Sequence, residues 1–263
     1  TGVASQTAIS VNDKYFKTHP VFDGDVNYGG WVDDNGTPVK LQGIWVAKYE
    51  ASQVNGTTTP KSEPGVNSWM NISVGASYTY SKEYNTNLKS HLMKNSEWGA
   101  VAYLTDSKYG RNGTEVTINS NSDFYTGGGS GTAYINNRTQ SSTGNVYGIY
   151  DLSGGLSEYV AAYYNGSTNL SYGSTFAGQN KTSDVYSTAY EGTSGSNDYK
   201  YGDATYEISN WNEDNSSFSD LYNPFFSRGG GGDSDLGAGV FYFYKTTGLE
   251  HSSSGFRTCL TVN

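Results

Sequence analysis

Gly144-Asn145-Val146-Tyr147-Gly148-Ile149-Tyr150-Asp151-Leu152-Ser153-Gly154-Gly155-Leu156-Ser157-Glu158-Tyr159-Val160 sets a glycine turn between apolar residues and reads as a turn feeding a strand. Three other segments carry comparable signals. Leu41 to Glu50 is aromatic and β-branched with polar residues after it, which predicts a buried strand. His91 to Leu104 places Trp98, Val101 and Ala102 at i, i+3, i+4, one face of a helix, with Asn95 or Ser96 as its cap. Gly99 within that helix costs about 1 kcal/mol relative to Ala. Ser227 to Leu260 holds Arg228-Gly229-Gly230-Gly231-Gly232, an aromatic run from Val240 to Tyr244, and a closing Gly255-Phe256-Arg257-Thr258-Cys259-Leu260 that alternates like a strand.

The remaining stretches, about 111–143 and 161–224, are rich in Asn, Ser, Gly and Tyr and show no repeat period. Stretches this long within a compact domain predict short strands and ordered loops packed by their tyrosines. The chain has 263 residues, 35% hydrophobic and 16% charged, with 34 Gly and 24 Tyr, a loop-rich, strand-containing profile. Its formal charge of −9 makes nucleic acid and anionic lipid poor partners, because counterion release needs clustered Lys and Arg. A lone Cys259 excludes an internal disulfide, and no Cys/His spacing points to zinc. No run approaches the roughly 18 apolar residues of a membrane span, and Thr1 to Ser10 lacks the order of a signal peptide.

Taken in order, these segments resemble the formylglycine-generating-enzyme (sulfatase-modifying factor) family, a branch of the C-type lectin fold. The resemblance lies in Ile44 to Glu50, Ser96-Glu97-Trp98, Asn145 to Gly154 with Leu152 in place of Met, Arg228-Gly229-Gly230 and Gly255-Phe256-Arg257. It implies an α+β, C-type-lectin-like fold: a lead-in over 1–40 and one domain over 41–263 with inserts at 111–143 and 161–224. More narrowly, the chain is similar to the variable proteins diversified by retroelements in phages and gut bacteria. That likeness implies a variable ligand-binding segment over 231–254, with Asp233, Ser234, Asp235, Tyr242, Tyr244, Lys245, Thr246, Thr247, Leu249, Glu250, His251, Ser252 and Ser253 as contacts. Mutation of adenines in Asn codons does not yield Lys or Glu, so Lys245 and Glu250 fit the diversified set less well.

The family pattern is broken where oxidase chemistry resides. Its oxidases use a C-terminal cysteine pair, and only Cys259 is present. A Trp-Glu-Trp of the family is here Ser157-Glu158-Tyr159, and the Glu-Pro-Asn and Trp-Asn-Asp triplets of sugar-binding lectins are missing. His19, His91 and His251 sit in unrelated contexts, and no Gly-x-Ser-x-Gly elbow occurs. The expectation is therefore no enzyme, no catalytic residue and no cofactor, with a family-type structural calcium left open. Asp23 to Asp34 imitates an EF-hand loop, but Tyr28 replaces its glycine, so solvated acids are the better account.

In 231–254, Tyr supplies rigid contact area at low entropic cost, and Ser, Gly, Asn and Asp supply adaptable hydrogen bonds. Alternation sends Phe241 and Phe243 to one face and Tyr242 and Tyr244 to the other. Arg228 and Arg257 are read as structural partners of Glu50, Glu158 or Asp151, and Trp45, Trp98 and Phe256 as core. These features predict an extracellular receptor-binding or adhesive protein on a bacterial surface, pilus or phage virion, its ligand a macromolecule on a host or prey cell. The alternative is a pilin-like or tail-fibre subunit, and an oxidase ranks last.

Overall fold

The computed structural model describes residues 18–33, 35–178, 185–192, 200–205, 208, 211–232 and 237–262. Helices α1 (Pro20–Asp23), α2 (Val74–Glu83) and α3 (Asn95–Asp106) accompany short strands in several sheets. In chain order the strands are β1 (Trp31–Val32), β2 (Pro38–Val39), β3 (Gly43–Val46), β4 (Ser52–Gln53), β5 (Pro60–Lys61), β6 (His91–Leu92), β7 (Ser157–Tyr164), β8 (Thr188–Tyr190), β9 (Phe225–Gly229), β10 (Gly239–Thr246), β11 (Ser254–Phe256) and β12 (Thr258–Val262). The chain is α+β, loop-rich and poor in helix. Among the described residues no helix is long and apolar enough to cross a membrane.

The main sheet runs β10-β9-β7-β11, with β8 also on β7. β7 pairs antiparallel with β9 on one edge, and parallel with β11 and β8 on the other. Both faces of β7 are covered, so its burial does not alternate. Val160 and Ala162 join Trp98, Phe226, Phe241 and Phe243 on one side. Tyr159, Ala161 and Tyr163 join Trp69, Val74, Tyr78, Phe225 and Phe256 on the other. A smaller sheet, β3-β12-β6, joins an early strand to the last one, with Leu260 opposite Trp45 and Cys259 opposite His91.

The helix expected from His91 starts at Asn95, because His91 and Leu92 are taken up by β6. The cap is neither Asn95 nor Ser96: the Lys94 N–H donates to Glu97 Oε2 at 3.0 Å, and Asn95 Nδ2 instead reaches Tyr190 Oη at 3.1 Å. Gly99 is required by packing, since a Cβ there would lie 2.0 Å from the carbonyl oxygen of Gly202. Trp98 and Phe256 are core, but Trp45 is 66% exposed because only alternate residues of the four-residue β3 face inward. β7 extends to Tyr164, so the second insert starts later than 161. Region 111–143 forms single helical turns, with Tyr134 packed edge-on to Tyr49 and Tyr150. The described lead-in is packed into the domain, with buried Trp31 edge-on to His91 and Tyr186.

At the centre lies Arg257, which separates β11 from β12 and is fully buried. Its Nε donates to Glu158 Oε2 at 2.7 Å and its Nη2 to Glu158 Oε1. Further bonds run from Nη1 to Ala47 O at 2.9 Å and from Nη2 to Tyr150 O at 3.0 Å and Asp151 O at 3.2 Å. Glu50 and Asp151 are also buried nearby; Glu50 Oε1 accepts the Leu156 N–H at 2.8 Å and Asp151 Oδ1 the Gly127 N–H at 2.9 Å. Burial raises the carboxyls of Asp151 and Glu158 while Arg257 opposes it. Glu50 is pushed well above the usual range by burial and then by the charges of Asp151 and Glu158. One guanidinium among three carboxyls thus makes Glu50 the carboxyl whose neutral form is most favoured.

Removing the cation while leaving the anions buried is the costly change. Arg257→Met is expected to lose about 3–5 kcal/mol in urea unfolding at pH 7. Glu50→Gln keeps a neutral acceptor for Leu156 and is expected to cost at most about 1 kcal/mol. The reverse order would contradict this charge assignment.

Candidate functional site

β10 and the loop leading to β11 are held by main-chain bonds to the frame. The Gly248 carbonyl accepts the Val74 N–H at 3.0 Å, and the His251 carbonyl accepts the Asn71 N–H at 3.0 Å. Tyr159, rooted in β7, donates its hydroxyl to the Leu249 carbonyl. Ser227 lies between Tyr159 and Tyr244 in the ladder, so all three side chains project from the same sheet face, the one the loop crosses. The backbone is thereby fixed while its outward side chains are left to solvent.

Tyr244 and Leu249 are 42% and 44% exposed, and Glu250, His251 and Ser252 are exposed. Thr246, Thr247 and Ser253 are half-buried, and the Ser253 hydroxyl lies 2.8 Å from His251 Nδ1. Lys245 is engaged by Asp220 at 2.7 Å. Partial burial works against ionisation of Asp220, yet Lys245 and the N–H groups of Asn223 and Tyr222 hold its carboxyl down at about 2. The same turn carries Leu221 and Tyr222, 50% and 76% exposed, at this end of β10. Neither was expected from sequence; an apolar-aromatic pair before Asn-Pro in a polar insert was the available signal.

Tyr242 departs from expectation. Its ring stacks on Tyr244 with centroids 6.1 Å apart, as alternation requires, but it is only 8% exposed. The ring lies over Gly230, where a Cβ would come within 3.2 Å of Cδ2, so Tyr242 is a support for Tyr244 and not an outer contact. Asp233, Ser234 and Asp235 lie outside the described residues, as does Asp34 of the EF-hand-like stretch.

The three histidines have separate hydrogen-bond partners. His19 Nε2 lies 2.7 Å from the Gly202 carbonyl oxygen, far in sequence from His91 and His251. Arg228 is buried, donates from Nη2 to Ala204 O at 2.8 Å, and lies over Trp98. Among the described residues the one group with three metal-type donors is His91, Glu97 and Cys259, all fully buried with donor atoms within 4.8 Å. His91 presents Nδ1 to Lys89 O at 2.7 Å and Nε2 to both Glu97 oxygens at 2.8 and 2.9 Å. Burial would raise the Glu97 carboxyl, but His91 and Lys94 together bring it below its ordinary value. This mixed donor set is not the oxygen cage of calcium. Burial, then the charge of Glu97, pushes the Cys259 thiol well up and keeps it from being a thiolate nucleophile.

No protein-family model matches the chain, and no curated protein matches its sequence.

Tyr242→Ala should remove a buried aromatic and cost about 3 kcal/mol or more, whereas Tyr244→Ala should cost under about 1 kcal/mol. Chemical unfolding of both variants reads the difference directly, and equal losses would place Tyr244 in the core.

Proposed function

We propose that the chain is a C-type-lectin-like protein of the formylglycine-generating-enzyme subtype that works as a non-enzymatic ligand-binding module. The observation that carries this reading is the contrast within 244–253: main chain bonded to α2, the residues before it and β7, side chains of Tyr244, Leu249, Glu250, His251 and Ser252 in solvent. Support for the subtype comes from the motif residues themselves, since Glu50, the Asp151–Glu158 stretch and Arg257 gather in one buried network although each of these three segments lies about 100 residues from the next in the sequence. The buried, protonated thiol of Cys259 and histidines that are each bonded to separate partners favour binding over oxidase or hydrolytic chemistry.

The ligand is a protein or another macromolecule on a host or prey cell, and the setting is extracellular, on a bacterial surface, pilus or phage virion. The cavities beside Trp45, Trp69, Lys94 and Tyr103 are lined by other segments, and an exposed surface with Tyr244, Leu249 and small polar groups suits a broad partner better than an enclosed small molecule. A structural-subunit role has one observation in its favour, the cleft beside exposed Trp45 and Tyr84.

Gene copies from sibling isolates test the reading. Differences should concentrate at Tyr244, Leu249, His251, Ser252 and their neighbours within 231–254, at adenine positions of a nearby template copy. An even scatter, or clustering at Trp45 and Tyr84, would overturn it.

A further inference from the structure

β9 and β10 lose register between Gly239, opposite Gly229, and Phe243, opposite Arg228, so residues 240–242 bulge out of the ladder. The polar backbone of such a bulge needs other partners. The Val240 carbonyl takes the Trp98 indole N–H at 2.8 Å, and the Phe241 N–H goes to Asp214 Oδ2 at 2.9 Å. Asp214 belongs to a clasp on the outer edge of β10. Asn215 donates to Gly237 O at 3.0 Å and accepts from the Phe243 N–H at 3.2 Å, Ser217 donates to Phe243 O at 2.9 Å, and Trp211 packs edge-on to Phe241 at 5.2 Å. The fit is close: a Cβ on Gly239 would lie 1.9 Å from Asp214 Oδ1.

We infer that Asp214 is the positioning residue of the proposed recognition surface, a charge-sensitive latch whose carboxyl holds the 240–242 bulge and so sets the Tyr242–Tyr244 pair.

The latch is electrostatically uneasy. Asp214 is 2% exposed, and its Oδ1 has no hydrogen-bond partner among the described residues. Burial, opposed by the Phe241 N–H, pushes the carboxyl up to about 7. Glu115 adds to the rise, while Arg228 on β9 and the Tyr242 N–H reduce it. Glu213, next to Asp214 in the chain, faces Glu115 and raises that carboxyl in turn. Released into water, Asp214 returns to an ordinary value near 3.8. The closed latch therefore binds its proton more tightly than the open one. Its contribution is full below about pH 4, is lost as pH rises to about 7, and is constant above that.

This inference rests on reading 231–254 as the recognition surface, but its test needs no ligand. Amide hydrogen exchange of the full chain, resolved at Phe241, reads the latch itself. The Phe241 protection factor should fall by up to about tenfold per pH unit between pH 5 and 7 and level off above 7. In Asp214→Asn the factor should be flat across that range, and in Glu115→Gln the levelling should move to lower pH. A flat profile in the unmodified protein, a slope that survives Asp214→Asn, or a levelling point unmoved in Glu115→Gln would overturn the latch. None of those outcomes touches the gene-copy comparison, and an even scatter of sequence changes would leave the latch standing while removing the surface it serves.

Discussion

Arg257 is the constraint on which the rest of the molecule depends. A guanidinium taken out of water must have each face of its fork matched, and here the matches come from β7, the turn before it and the end of β3. Glu158 lies 99 residues and Ala47 210 residues from Arg257 in sequence, so the ion pair specifies the meeting of distant segments more than it stabilises the fold. The surplus of carboxyls around it is eased because burial and its neighbours favour the neutral form of Glu50. The strand that leads into Arg257 and the strand that follows belong to different sheets, so this one residue is also where the two sheets are joined.

Rigidity at that centre is passed on to the outer loop through β7. Tyr159 is packed in the core at its ring and bonded to the loop at its hydroxyl, and α2 offers its first N–H to the same loop. Tyr242 and Tyr244 illustrate the division of labour: one ring is buried and steadies the other, which meets solvent. Side chains that hold nothing in place can be exchanged without loss of fold, and that is what a surface for changing ligands requires.

Turn chemistry and alternation made much of this legible. The glycine turn ahead of β7, the closing strand and the inward Trp98 follow from residue type and spacing, whereas the choice of Glu158 for Arg257, among the three acids the sequence offered to Arg228 and Arg257, is made by the fold. What escaped was set by tertiary contacts. β3 is too short to bury Trp45, and its pairing with β12 turns that ring outward. α2 has no strong apolar stripe in VGASYTYSKE, because its buried positions include Gly and Ser. The burial of Tyr242 depends on Gly230 in a neighbouring strand end, and Asp214 on a bulge that no local pattern announces.

The central claim is that a fixed frame carries an exchangeable surface. Displaying a library of the chain on cells, with Tyr244, Leu249, Glu250, His251 and Ser252 randomised together, and scoring resistance to protease measures it most directly. Most members should remain as resistant as the parent, while a matched library at Asp151, Glu158, Tyr159, Tyr242 and Arg257 should be almost wholly digested. Comparable losses in the two libraries would contradict the account.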